Sequence, residues 1–118
     1  MGRRGPPLSE APAPPPAGNA LTNLELRPAE YEVLVEGRRA GLTVREFQIF
    51  SVLAAHVDRV VSREEVYAQV WGGPMARRDR SVDVFVRKLR TKLAAVSPDY
   101  QYIHTHFGVG YRLAPQPA

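Results

Sequence analysis

The sequence predicts an α+β domain made of an N-terminal antiparallel sheet, a three-helix bundle and a C-terminal β-hairpin. Three observations carry this. Apolar and polar residues alternate between Leu24 and Leu42, the period of a strand. Two Ser/Thr-x-x-Glu helix starts, at Thr43 and Ser62, precede apolar residues spaced three and four apart. From Tyr100 the period returns to two. The length of 118 residues suits one domain, since about 100–200 residues is usual for each. A domain of about this size buries roughly two-thirds of its unfolded surface.

Taken in order, residues 1–20 hold six of the eleven prolines and almost no bulky apolar side chain. Such a stretch buries too little surface to offset its ordering entropy, so it reads as a disordered, Pro-rich linker. The folded unit is expected over 21–114, with 115–118 as a flexible tail. Leu24 and Leu26, then Tyr31, Val33 and Val35, then 39–42 form a meander with a turn at Glu36-Gly37. Thr43 and Glu46 form a capping box that opens the first helix. Phe47, Phe50, Leu53, Ala54 and Val57 make its apolar face, to about His56. Ser62 and Glu65 form a second box; Val66 and Val70 line that helix, and Trp71-Gly72-Gly73-Pro74 ends it. The third helix starts at Asp79 or Ser81 and runs to Val96, before Ser97-Pro98-Asp99. Tyr102, His104 and His106 then share one face of a strand, with Ile103 and Thr105 on the other. Gly108-Val109-Gly110 turns the chain, and 111–113 returns as a hairpin.

Composition removes several classes of function. No cysteine is present, which excludes disulfides, thiolate zinc sites and a cysteine nucleophile. The apolar run at 49–55 is far short of the ~18 residues that span a bilayer, and the N-terminus has no apolar signal core. A cytoplasmic domain is expected, with no membrane partner. The net charge is +4, and its placement matters more than its size. Residues 77–92 hold Arg77, Arg78, Arg80, Arg87, Lys88, Arg90 and Lys92 against Asp79 and Asp83, a local +5, while the rest of the chain roughly cancels. Such concentration is the footprint of a polyanion-binding surface.

The third helix refines this. At about 100° per residue, Phe85, Val86, Leu89, Leu93 and Val96 fall within about 60° of Val82, a core-facing stripe. Arg80, Val84, Arg87 and Thr91 lie opposite, with Lys88 beside them. An α-helix fits the major groove, where Arg and Lys meet guanine acceptors or phosphates and a valine meets a thymine methyl. Preceded by a helix and a Gly-containing turn, and followed by a hairpin, this face is read as binding duplex DNA.

Val70-Trp71-Gly72, the stretch from Asp79 to Arg90 (DRSVDVFVRKLR), Ile103-His104-Thr105 and Gly108-Val109-Gly110-Tyr111-Arg112-Leu113 closely resemble the C-terminal effector domain of OmpR/PhoB-type bacterial response regulators. The likeness covers about residues 21–114. It implies a winged helix-turn-helix in which the third helix, 79–96, is the recognition helix and the hairpin is the wing. It further implies a transcriptional regulator of a two-component phosphorelay, with a receiver domain and a sensor kinase if the chain is part of a longer protein. Residues 71–78 would contact RNA polymerase, and promoter direct repeats would be bound head-to-tail by a domain that is monomeric alone. The family often has a histidine where Phe85 stands, and usually Thr-Val-Arg-Gly where this chain reads Thr105-His106-Phe107-Gly108. A neutral ring cannot reproduce an arginine's attraction to a narrow minor groove.

The assigned DNA-contacting residues are therefore Trp71, Arg77, Arg78, Arg80, Val84, Arg87, Lys88, Arg90, Thr91, Thr105, His106, Phe107 and Tyr111. No cofactor is expected. His104-x-His106 has metal-ligand spacing but no third ligand near it. Adjacent Glu64 and Glu65 point apart on a helix, Gly108-Val109-Gly110 is too short for a dinucleotide loop, and no nucleophile–base set appears, so an enzyme is not expected.

Overall fold

The computed structural model describes residues 23–118; the proposed linker 1–20 lies outside them. Strands β1 (Leu24–Arg27), β2 (Glu32–Val35) and β3 (Arg38–Arg39) form the first antiparallel sheet, in the order β1-β2-β3. Helices α1 (Val44–Ala54), α2 (Arg63–Val70) and α3 (Ser81–Val96) follow, with the short strand β4 (Val61–Ser62) just before α2. The hairpin β5 (Tyr100–His106) and β6 (Gly110–Pro117) joins β4 in a second sheet, ordered β4-β6-β5.

Local chemistry explains most of these elements. In β2, Val33 and Val35 are fully buried on the helices. Tyr31, expected to alternate with them, instead closes a 3-10 turn at φ 52° and stands exposed, its ring edge-on to Phe47 at 5.9 Å. Glu32 is buried between them; its Oε1 accepts the N–H groups of Val33, Gly41 and Leu42, which ties down the chain leaving β3. That bonding ends the strand at Arg39 rather than carrying it to Leu42.

The Thr43 capping box forms in full, with Glu46 N–H donating to Thr43 Oγ1 and Thr43 N–H to Glu46 Oε1. The second box forms only by half. Ser62 Oγ accepts from Glu65 N–H at 3.0 Å, but the Glu65 carboxylate turns to His56 and Gln69 instead. Gly72 and Gly73, both with φ near 80°, release the chain from α2. Helix α3 lacks a side-chain cap from Arg80; Asp79 Oδ1, accepting from Ser81 N–H at 2.7 Å, takes its place.

The core lies between the two sheets and the bundle. Ile49, Phe50 and Leu53 of α1 meet Val82, Val86, Leu89 and Leu93 of α3, Val66 of α2 and Leu113 of β6. Each such buried side chain contributes about 1.5–3 kcal/mol of transfer free energy. Two expectations need correction at the C-terminal end. Tyr102 and Ile103 are both buried, because a register shift between Gln101 and Ile103 breaks the alternation. Residues 115–118 are also no loose tail, since β6 pairs with β5 as far as Tyr100↔Pro117. Prolines are tolerated there because β4 has ended, leaving that side of β6 an edge. Gly110 is required at the other end, where a Cβ would sit 2.0 Å from the Val61 carbonyl oxygen of β4.

Candidate nucleic-acid interface

The division of α3 into two faces is borne out. Val82, Val86, Leu89 and Leu93 are buried, with Phe85 and Val96 packed at the core's margin. Val84, Arg87, Lys88 and Thr91 are exposed on the opposite side, and Arg80 projects just before the helix. The Thr91 hydroxyl donates back to the Arg87 carbonyl at 3.1 Å, and Lys88 Nζ lies 5.2 Å from the Phe85 ring centre. Arg87 therefore holds the freest charge of this row, since Arg80 pairs with Asp83 at 3.5 Å. The face offers guanidinium and ammonium donors around one apolar contact, Val84.

Beside the start of α3, Arg63, Arg77, Arg78 and Arg80 line one open concavity. Sequence reasoning missed Arg63, because it lies on α2 and no local pattern marks a partner some twenty residues away. It missed Asp83 as well. That carboxylate is three-quarters buried, accepts the Tyr111 hydroxyl, and forms ion pairs with Arg63 Nε at 3.2 Å and Arg80 at 3.5 Å. One acidic group thus joins α2, α3 and the wing, while holding two arginines in a cluster of like charge.

Other assigned residues also bond within the frame. Tyr111 is buried, and burial, with the Asp83 carboxylate next to it, pushes its hydroxyl up to about 12. Arg90 points away from the solvent row: its Nε donates to the Ile103 carbonyl at 3.1 Å, its terminal nitrogen to Thr105 Oγ1, and it lies 5.6 Å from the Tyr111 ring. Thr105 is thereby engaged too. These three fasten the wing to α3, a role that hydrophobic periodicity could not foresee. His106 Nε2 accepts from Arg112 Nε at 3.0 Å, and His104 Nε2 lies 2.7 Å from the Ala114 carbonyl. Among the described residues no group of three or more His, Cys, Asp or Glu is placed to hold a metal.

Trp71 caps α2 and packs as an aromatic stack. Its ring lies 5.0 Å from Tyr67 and 5.8 Å from Phe85, with the Arg45 guanidinium 4.8 Å above it. Arg45 also donates to the Val70 carbonyl at the helix end. From Gly72 to Arg78 the loop is mostly exposed. Phe107 stands free at 92% exposure, with Val109 beside it at 59%.

Comparison with known proteins decides what this arrangement belongs to. Residues 37–113 match the family model described as transcriptional regulatory protein, C terminal. The chain belongs to this family. Its OmpR/PhoB-type character, read from the motifs of α3 and the hairpin, is thereby shown, and the family is one of transcriptional regulators rather than enzymes. An alkaline phosphatase synthesis transcriptional regulatory protein, SphR, of Synechococcus elongatus is 34% identical over 102 residues, 86% of this chain. The chain spans only 40% of that relative's length. The DNA-binding domain of CpxR from E. coli superposes with a TM-score of 0.69 at 32% identity, over 77% of this chain and 89% of that one. The Klebsiella pneumoniae RstA DNA-binding domain, solved in complex with RstA box, gives 0.70 at 29% identity, over 80% and 93%. This C-terminal regulatory domain is a winged helix-turn-helix, with α2 and α3 as the helix pair and β5–β6 as the wing.

Proposed function

We propose that this chain reads duplex DNA sequence-specifically as the effector module of a bacterial response regulator, with α3 in the major groove. One observation carries the reading. Arg80, Val84, Arg87, Lys88 and Thr91 lie exposed along one side of a helix whose other side is core, inside the window that supplies more than the whole net charge. The solved complex of the RstA domain with RstA box supports it from a relative.

Within this reading, Arg63, Arg77, Arg78 and Arg80 hold phosphates and so set register, while Arg87, Lys88 and Val84 meet base edges. Arg77 and Arg78 lie in the exposed loop that would also face RNA polymerase. A receiver domain governed by a sensor kinase, action in the cytoplasm, and head-to-tail occupancy of direct repeats by a domain that is monomeric alone belong to the same proposal. Among the described residues no helix is long and apolar enough to cross a membrane.

The test is selection from a random pool of duplexes, followed by salt titration on the winning sequence. With about 4–6 phosphates neutralised per domain, the log–log slope of affinity against salt should be about −4 to −5. A chain that enriches no sequence, or a slope near −1, would identify a winged helix used for protein contacts alone.

A further inference from the structure

The wing tip is built as a rigid, uncharged point beside a basic surface. Val109 N–H donates to the His106 carbonyl at 2.8 Å, and Gly108, at φ 78°, closes the turn so that Phe107 projects from it. Phe107 is the most exposed large apolar side chain among the described residues. The base of the hairpin cannot swing freely, because Thr105 is bonded to Arg90 and Tyr111 to Asp83, both on α3. Phe107, Gly108 and Val109 share one concavity with Arg63 and Arg80, so the apolar tip is continuous with the arginine cluster at the start of α3. A partner that meets both must be anionic at its border and apolar just inside it. Duplex DNA has that construction, with phosphate rails around stacked bases. Grooves alternate along it, so a projection standing beside a helix in the major groove reaches the adjacent minor groove.

We propose that Phe107 is a wedge that enters a base step of the minor groove flanking the sequence read by α3. The inference rests on the DNA-binding reading above and adds a second source of specificity to it. Apolar side chains inserted there prise neighbouring bases apart and kink the duplex. The cost is least at TA and CA/TG steps, which unstack readily, so the wedge selects such steps without any hydrogen bond to a base. Because the ring is uncharged, it contributes nothing to counterion release.

The probe is a duplex selected by the parent chain from a random pool, with 2-aminopurine placed at successive flanking positions. The parent should enrich a TA or CA/TG step on one flank, and 2-aminopurine at that step should brighten several-fold on binding. Phe107→Ala should lose both effects and bind about tenfold more weakly at an unchanged salt slope, while Phe107→Leu keeps most of the brightening. Both substitutions lie at a solvent-exposed tip, and unchanged thermal melts would verify that the fold survives. If the parent selects sites and Arg87→Ala weakens them, yet no flanking probe responds or Phe107→Ala behaves as the parent, the wedge is refuted and DNA reading stands. If the parent selects no sequence at all, the DNA-binding reading itself has failed.

Discussion

Glu46 shows how a single carboxylate can be buried without being neutralised. It is 1% exposed, yet Lys92 Nζ lies 2.7 Å from its Oε1 and Thr43 N–H donates to the same oxygen. Burial alone raises such a group, but these bonds outweigh it and hold the Glu46 carboxyl below its ordinary value of 4.5. Lys92 also donates to the Gly41 carbonyl, so the pair clamps α3, α1 and the end of the first sheet together. A depressed pKa contributes stability that is complete above the ordinary value and disappears as pH falls through the folded one. Glu46→Gln should therefore cost about 2–3 kcal/mol at neutral pH, less than a wholly buried pair because Lys92 is a third exposed. Urea unfolding at neutral pH and at about pH 3.5 should find that gap shrinking in acid. A gap that does not change would mean the charge of Glu46 is not the source.

At the scale of the element, α3 serves two masters, and its residues divide cleanly between them. Arg87 and Lys88 lie on the solvent row, whereas Arg90, on the same helix, is spent on Ile103 and Thr105 of the wing. Substituting each with alanine should separate the roles. Arg87→Ala and Lys88→Ala should leave stability within about 0.5 kcal/mol of the parent and weaken binding to the selected duplex; a lost base contact is worth about 1–3 kcal/mol. Arg90→Ala should lower the melting temperature as well, since it strips the wing of two hydrogen bonds. Equal loss of stability in all three would show that the faces have been assigned wrongly. Periodicity alone placed Arg87 and Lys88 on the open face. It could not place Arg90, whose position at the margin of the stripe admits either role until β5 is packed against the helix.

At the scale of the whole molecule, a few polar ties fix the wing's angle to the bundle. Tyr102 donates to Ser97 Oγ and accepts from Asn23, joining the hairpin to α3's end and to the first sheet. Tyr111 donates to Asp83, joining the hairpin to α3's start. Burial and the neighbouring carboxylate raise the Tyr111 hydroxyl from 10.0 to about 12. A raised pKa means that this tie contributes fully below about pH 10 and is lost as pH climbs through the folded value. Tyr111→Phe should thus cost about 1–2 kcal/mol at neutral pH, and its deficit should vanish in strong alkali. Ultraviolet titration would show one of the five tyrosines ionising late in the parent and missing from the variant. A late tyrosine that persists in Tyr111→Phe would assign the shift elsewhere.

The sequence by itself determined the order and type of the main elements, though not β4 or the 3-10 turn at Pro28–Glu30, together with the core stripe of α3 and its basic opposite face. Each of these is set by neighbours within a turn or two, where capping residues, glycines and the 3.6-residue period act directly. Only the tertiary structure decided that Glu65 leaves its cap for His56, that Tyr111 and Arg90 fasten the wing, that Arg63 joins the arginines before α3, and that residues 115–117 are strand. Those outcomes depend on groups far apart in the chain, such as Arg63 with Asp83 and Tyr100 with Pro117. The residue letters offer a menu of partners, and packing chooses among them because a buried polar group left unpaired is costly.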